Sequence, residues 1–298
     1  MKGFFLHLPV LLQEVMECLK LASGDVVLDA TLGGGGHAAQ CLEKIGPRGK
    51  LIAVDRDPEA IKNAKKRLSE FKSRIVWVND NFRHVGDILR IAGVDKVNGA
   101  IFDLGVSSSQ IDEAERGFSF LKDGPLDMRF SDSQDMSACG VVNNFSKDEL
   151  AEIIREYGEE RHAGLVAGGI VRARAKKRIE TTKELTSVIL AAVGRKYRKV
   201  RLHPAARTFQ ALRIYVNDEL DSARVGVHEA IGSLAAGARI CVISFHSLED
   251  RIIKNLFKDA AREEKIKIIT KKPIIPGRDE IRTNSRARSA KLRCAERV

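Results

Sequence analysis

Apolar residues fall along this chain in two rhythms. In the first third, short apolar runs alternate with segments whose apolar positions recur every three or four residues. Runs near 26–31, 49–55, 73–80 and 99–105 read as buried strands, and segments near 37–46, 58–71 and 84–93 as the helices between them. Val10–Lys20 reads as a leading helix. Asp57-Pro58 marks a helix start, with a capping carboxylate and a proline where no N–H is needed. Such alternation implies right-handed crossovers and a parallel sheet. Past Gly105 the strand rhythm stops. Residues 112 to about 205 carry only helical periodicity, as in Ser146–Glu160 and Thr182–Val193, and Ala163–Gly169 is rich in glycine for a helix. A helix from about 206 precedes a strand at Ala238–Phe245, and Ile266–Lys271 reads as a strand pairing antiparallel at the sheet edge. The expected architecture is α/β. A Rossmann-like sheet domain, 1–111 with 206–298, is split by an all-helical insertion, 112–205, that serves substrate recognition.

The first strand–helix joint carries the most information. Val26-Val27-Leu28-Asp29 runs into Ala30-Thr31-Leu32-Gly33-Gly34-Gly35-Gly36-His37, and the second strand ends on Asp55. Glycines let backbone approach a ligand, and an acid at the tip of strand two can accept both hydroxyls of a ribose. A nucleoside carrier is implied. Gly33-x-Gly35-x-x-Ala38 fits a dinucleotide fingerprint, which would make the chain an NAD-dependent oxidoreductase. S-adenosylmethionine needs the same turn and ribose acid but carries an ammonium in place of a pyrophosphate. Asp29, at the end of strand one, suits a cation better than a diphosphate. Methyl transfer is therefore the leading reading.

Charge adds a partner. The 298 residues carry a formal net charge of +11, which suits a polyanion. From Asp112 to Glu160 there are 13 acids against 5 bases, and from Arg161 to Ala205 12 bases against 2 acids. The basic half holds two runs, one including Arg174 and Lys177, the other Arg198; the tail adds Arg286, Arg288, Lys291 and Arg293. Charge runs are most often solvated helix faces, yet several together favour a phosphate-binding surface. Scarce aromatics favour RNA shape and backbone over stacked single strands, and no DNA partner is expected. Cys18, Cys41, Cys139, Cys241 and Cys294 are scattered and form no C-x-x-C pair, so neither a disulfide framework nor a metal site is expected, and a reducing cytoplasm is. No apolar run suits a bilayer, and the start of the chain lacks signal-peptide character, so no membrane partner is expected.

The chemistry belongs at the carboxyl ends of the parallel strands. Strand four delivers Asp103-Leu104-Gly105 there, followed by Val106–Gln110. Asp103 can orient a substrate amine and take its proton, or merely cap the turn. Ring-carbon methylation of a pyrimidine would want a cysteine nucleophile, and this loop has none, so amine methylation is preferred. On the helix from 206, Phe209, Leu212, Val216 and Leu220 form an apolar stripe for the sheet, while Arg207, Gln210, Arg213 and Asn217 form a polar arc that could hold RNA phosphate or a flipped base. Ser247 and Asp250 have capping-box-like spacing after the fifth strand, and His246 reads as a structural hydrogen-bond donor more than a base.

Ordered blocks along nearly the whole chain resemble the bacterial RsmH (MraW) family of 16S ribosomal RNA cytosine-N4 methyltransferases. They include His7–Leu12, Asp29–His37, Ala53–Pro58, Asp103–Gln110, Glu115–Phe120, Gly124–Arg129, Tyr157–Arg161, His203–Asn217, Ile243–Ile252 and Arg286–Ser289. The resemblance implies S-adenosylmethionine as donor and N4 of a decoding-centre cytidine in small-subunit rRNA as acceptor. It also implies cofactor contacts from Gly35, Gly36, His37, Asp55, Phe82, Asp103 and Gln110, with Asp29 and Gly33 added from the loop reading. Ser285 stands where the family usually has proline, and Gly237-Ala238 replaces a double glycine. A rival outside enzymology is a non-catalytic RNA-binding ribosome assembly factor.

Overall fold

The computed structural model describes residues 9–194 and 203–298. The chain folds into two units, one built from the part up to Gly105 and from Leu220 onward, the other from Val106–Glu219. The first begins with α1 (Leu12–Leu19), β1 (Val26–Asp29), α2 (Gly36–Ile45), β2 (Lys50–Asp55), α3 (Pro58–Arg67), β3 (Ile75–Asn79), α4 (Val85–Ile91) and β4 (Val97–Asp103). The second holds α5 (Ser108–Asp112), α6 (Ala138–Asn144), α7 (Lys147–Gly158), α8 (Ala163–Arg174), α9 (Thr182–Val193) and α10 (Ala206–Asn217). The chain then returns to the first unit through α11 (Glu219–Ser233), β5 (Leu234–Ser244), α12 (Ser247–Arg262), β6 (Ile266–Ile268), α13 (Arg278–Thr283) and β7 (Lys291–Arg297).

The sheet runs β3-β2-β1-β4-β5-β7-β6. The first five strands in that order are parallel, and β7 is antiparallel to both neighbours. Covering both faces with helices demands strands that are apolar throughout. Alternate side chains serve opposite cores: Leu28, Ile52, Phe102 and Ile240 on one face, Val27, Leu51, Ile101 and Cys241 on the other. The expected elements are present, and Asp57 caps α3 by accepting from Glu59 N–H at 3.0 Å. The helix expected to reach 71 stops at Arg67 and continues as a 3-10 turn, Ser69–Arg74.

The antiparallel edge forms as expected, but β6 pairs with a strand that patterning did not indicate. The segment Lys291–Arg297 looks like a basic tail. In the fold, Leu292 and Cys294 are buried, and Lys291 and Arg293 pair with Asp250 at 3.1 and 2.7 Å. Those two cations are thus committed within the fold.

The second unit is helical, as periodicity indicates. Its core gathers Leu150, Ile154, Val166, Ile170, Leu185, Ile189, Phe209 and Leu212. Capping boxes at Ser146/Glu149 and Thr181/Glu184 start α7 and α9. The glycines of α8 are tolerated because Ala163, Val166, Ala167 and Ile170 are buried, and burial outweighs propensity. This compact unit runs from Val106 to Glu219, somewhat wider than the expected insertion of 112–205. The stripe on α10, expected to meet the sheet, contributes Phe209, Leu212 and Val216 to the helical core, and Val106 packs against that core.

Asn217 fixes the end of α10. It is 1 % exposed. Its Nδ2 donates to the carbonyls of Met128 (2.7 Å) and Arg213 (2.9 Å), and its Oδ1 accepts from Phe130 N–H (2.9 Å) and Gln134 Nε2 (3.1 Å). Met128 has φ 64°, an unfavourable conformation for a side chain with a Cβ, and Asn217 braces it from both sides. Asn217→Ala leaves buried backbone groups without partners. Its expected cost is about 2–3 kcal/mol, read as a lower urea midpoint by circular dichroism; unchanged stability would refute the bracing role.

Candidate active site

In the first unit the candidate residues converge at the carboxyl ends of β1, β2 and β4. The loop after β1 needs glycine: Gly33 and Gly35 have φ 50° and 72°, and Gly35 is the N-cap of α2. Asp55 organises this loop directly. Its Oδ2 accepts from Gly33 N–H at 2.8 Å, and its Oδ1 accepts from Asp57 N–H at 2.9 Å. Thr31 joins the loop to β4, its Oγ1 accepting from Asp103 N–H at 2.6 Å. Sequence reasoning passed over Thr31, whose only signal is a hydroxyl following a strand-end acid.

Asp29 and Asp103 are the electrostatically unusual groups. Asp29 is 1 % exposed; its Oδ1 accepts from Thr31 N–H at 3.2 Å, while its Oδ2 accepts no hydrogen bond. Its pKa is pushed up to about 7 by burial, against the Thr31 hydrogen bond and helped by repulsion from Asp55. The Asp103 side chain keeps 27 % exposure, but its Oδ1 is buried and accepts no hydrogen bond. Burial, then repulsion from Asp29 and Glu249, pushes its pKa up to about 8. Buried acceptors without donors are costly unless a ligand supplies them.

His37 complements this cluster. Its Nε2 lies 3.0 Å from the Val10 carbonyl, which can only accept, so that nitrogen carries the proton. Burial pushes the ring's pKa down to about 4. The neutral ring therefore turns an unprotonated Nδ1 towards Asp103 Oδ2, 3.8 Å away. No second positive charge competes there with a cationic ligand.

Glu249, which no motif of the sequence singles out, belongs to the same acidic group. It is 2 % exposed, and its Oε2 accepts from Phe245 N–H (2.7 Å) and His246 N–H (3.3 Å). The capping box lies at His246/Glu249, one residue before the expected Ser247/Asp250 pair, because His246 is the extended N-cap residue and Asp250 pairs with β7. His246 Nδ1 accepts from Glu249 N–H at 3.3 Å, so in this bond it is an acceptor at the helix start where a donor was expected. Phe82 packs edge-on to Phe102, centroids 5.5 Å apart, and Gly226 lies so close that a Cβ there would come within 2.6 Å of the Phe82 carbonyl.

In the second unit Gln110 is buried and closes the Ser107 capping box, its Oε1 accepting from Ser107 N–H at 2.9 Å. The polar arc of α10, expected on RNA, makes hydrogen bonds within the second unit. Arg207 Nη1 donates to the Glu159 carbonyl (2.8 Å) and Gln210 Nε2 to the Tyr157 carbonyl (3.0 Å), covering the last turn of α7. Arg213 grips Glu219 with two hydrogen bonds, 2.8 and 2.9 Å, and Asn217 is closed to any ligand. The basic runs are partly committed as well. Arg174 Nη1 donates to the Val142 carbonyl (2.6 Å) and Lys177 pairs with Glu184 (2.6 Å). Arg172, Lys176 and, in the first unit, Arg288 are exposed; Arg286 is half-buried where Asn284 caps a 3-10 turn without the family's proline. Arg198 lies outside the described residues. Among the described residues, no helix is long and apolar enough to cross a membrane.

Comparison with known proteins covers both units. The ribosomal RNA small subunit methyltransferase H of Halothermothrix orenii is 48 % identical over 307 residues, covering 98 % of each chain. Its counterpart in Clostridioides difficile is 47 % identical over 309 residues, covering 99 % of each. A crystal structure from Clostridium thermocellum, presented as an rRNA-methylase, aligns over 98 % of this chain and 100 % of its own with a TM-score of 0.50; at 13 % identity the likeness is one of fold. The MraW methylase family matches residues 4–298. With likeness of this extent, the chain belongs to the MraW methylase family.

Proposed function

We propose that this chain methylates the exocyclic N4 of a decoding-centre cytidine in 16S rRNA, with S-adenosylmethionine as donor. The observation that carries the donor is the carboxylate cluster: Asp29 Oδ2 and Asp103 Oδ1 are buried acceptors awaiting a donor, beside a glycine loop and a strand-tip acid. That is hostile ground for the pyrophosphate of NAD and suited to an ammonium and a sulfonium. The names of the two relatives, both small-subunit rRNA methyltransferases, support the substrate class. For the acceptor atom, support comes from the loop after β4, which carries an acid and no cysteine.

S-adenosylmethionine supplies a methyl group already activated by its positive sulfur. The residues then have three tasks. Asp55 and the loop it shapes receive the ribose and nearby atoms, with Gly35 and Gly36 allowing close approach and Phe82 lining the adenine side. Asp29, with neutral His37, receives the positively charged amino-acid end, and the family resemblance adds Gln110 as a cofactor contact. Asp103 orients the cytosine amine so that its nitrogen lone pair faces the methyl carbon, and alignment of this kind supplies several orders of magnitude in rate. As the C–N bond forms and the C–S bond breaks, sulfur loses its charge, and Asp103 loses the neighbour that favours its ionised form. Its proton affinity rises as the amine must shed a proton, which passes to Asp103.

The base has to leave its stack to present the amine. Arg172, Lys176 and Arg288, from the basic runs, are exposed and offer solvent-facing charges to phosphate. Arg286 and Arg198 extend the same basic character along the chain.

Labelled methyl transferred to small ribosomal subunits from cells lacking the enzyme is expected in N4-methylcytidine on nucleoside analysis; label in any other nucleoside would overturn the acceptor assignment. Affinity for S-adenosylhomocysteine, measured by calorimetry, is expected to weaken as pH falls through about 7, because Asp29 must then give up a proton to pair with the ammonium. The slope approaches about tenfold per pH unit for this one carboxylate, and a flat profile would remove Asp29 from the site. Asp103→Asn keeps the shape but removes the proton acceptor, with an expected loss of roughly 10²–10⁴ in kcat; full turnover would assign the proton elsewhere.

A further inference from the structure

Three of the five cysteines, far apart in sequence, meet in the first unit. Cys241 in β5 is directly opposite Cys294 in β7. The backbone of Cys294 bonds away from β5: its N–H donates to Thr270 Oγ1 at 2.9 Å, and its carbonyl accepts from Ile269 N–H at 3.0 Å. The two cysteines thus form a non-hydrogen-bonded cross-strand pair, the arrangement in which side chains come closest. On the same face Val15 and Leu19 of α1 pack into the core, which brings Cys18 over the pair. The three Sγ atoms lie within 4.8 Å of one another. The spacing that argued against a metal site therefore gives no guide to this convergence.

Buried cysteines commonly act as small apolar residues, and one or two here would need no other account. Three convergent sulfurs are a ligand set. A three-coordinate ion with bonds of about 2.3 Å holds its sulfurs about 4 Å apart, so closure asks for less than about 1 Å of movement. Among the described residues no fourth histidine, cysteine or carboxylate joins the group. The surroundings are apolar, and Cys18 is half-buried, leaving a way in. Arg239 donates to the Cys18 carbonyl at 2.9 Å and pairs with Glu296 at 2.7 Å, which fixes the end of α1 beside the three sulfurs.

We propose that Cys18, Cys241 and Cys294 form a three-thiolate site for a soft d10 metal ion. Each thiol gives its proton to solvent on binding. The bound ion ties α1 to β5 and β7, and the residues leading into α1 reach the cofactor loop: the Val10 carbonyl holds His37, and Pro9 lies against Gly36.

The test is titration of the reduced, chelator-treated full chain with Cd(II), followed by sulfur-to-metal charge-transfer absorption. One equivalent is expected to saturate the band. Cys18→Ser, a half-buried position, and Cys294→Ser are expected to lose it or to weaken binding by at least roughly 10- to 100-fold, with folding checked by circular dichroism. Cys41→Ser and Cys139→Ser are expected to retain it. In parallel, Cd(II) is expected to raise the Tm of the parent protein but not of Cys18→Ser. No band in the parent, a band surviving Cys18→Ser, or one abolished by Cys139→Ser overturns the proposal.

Discussion

Repulsion among carboxylates at the strand ends is the constraint around which the first unit is arranged. Asp29 closes β1, Asp103 closes β4, and Glu249 opens the helix after β5. A parallel sheet brings these positions together whether or not their charges agree. The protein keeps the conflict in place: burial raises Asp29 and Asp103, and Glu249 is occupied with the N–H groups of Phe245 and His246. Without a ligand this arrangement disfavours the ionised fold. Both acids have folded pKa values above the ordinary carboxylate range, so they withdraw stability as pH rises towards about 7 and 8. A cationic ligand reverses that balance, which makes the cluster a binding device whose cost falls on the empty state.

How much of this was legible in the sequence depended on the range of the interactions. Buried parallel strands announce themselves, because both faces are covered and each run is apolar throughout, as in Leu51-Ile52-Ala53-Val54. The glycine loop and Asp55 were equally legible, being adjacent or one βαβ step apart. The strand Lys291–Arg297 was not, since its charged residues are neutralised by Asp250, more than forty positions earlier. The same holds for α10. Its stripe reads identically whether it meets a sheet or other helices, and only the fold decides that Phe209 and Leu212 belong with Leu150 and Ile154.

Polar residues were the least reliable guide. A polar arc on an amphipathic helix suggests solvent or ligand, but helix ends create their own demand. The last carbonyls of α7 lack intrahelical donors, and Arg207 and Gln210 meet that demand at Glu159 and Tyr157. Asn217 serves the strained turn at Met128 in the same way. Arg207 and Gln210 thus each spend a donor inside the protein, and Asn217 is buried. The family resemblance at His203–Asn217 is then accounted for, at these positions, by internal architecture.

That distinction sharpens what remains for RNA. A cation already hydrogen-bonded to protein still contributes field, because Coulomb attraction does not need a free donor, but it contributes little specific geometry. Lys177 on Glu184 is neutralised in both respects; Arg207, donating to a neutral carbonyl, keeps its charge. The net charge of +11 suits drawing a polyanion towards the protein, and on the proposed function the choice of base falls to the shape of the site around Asp103. Affinity and selectivity then separate physically: raising salt weakens the first and leaves the second to the few residues that touch the base.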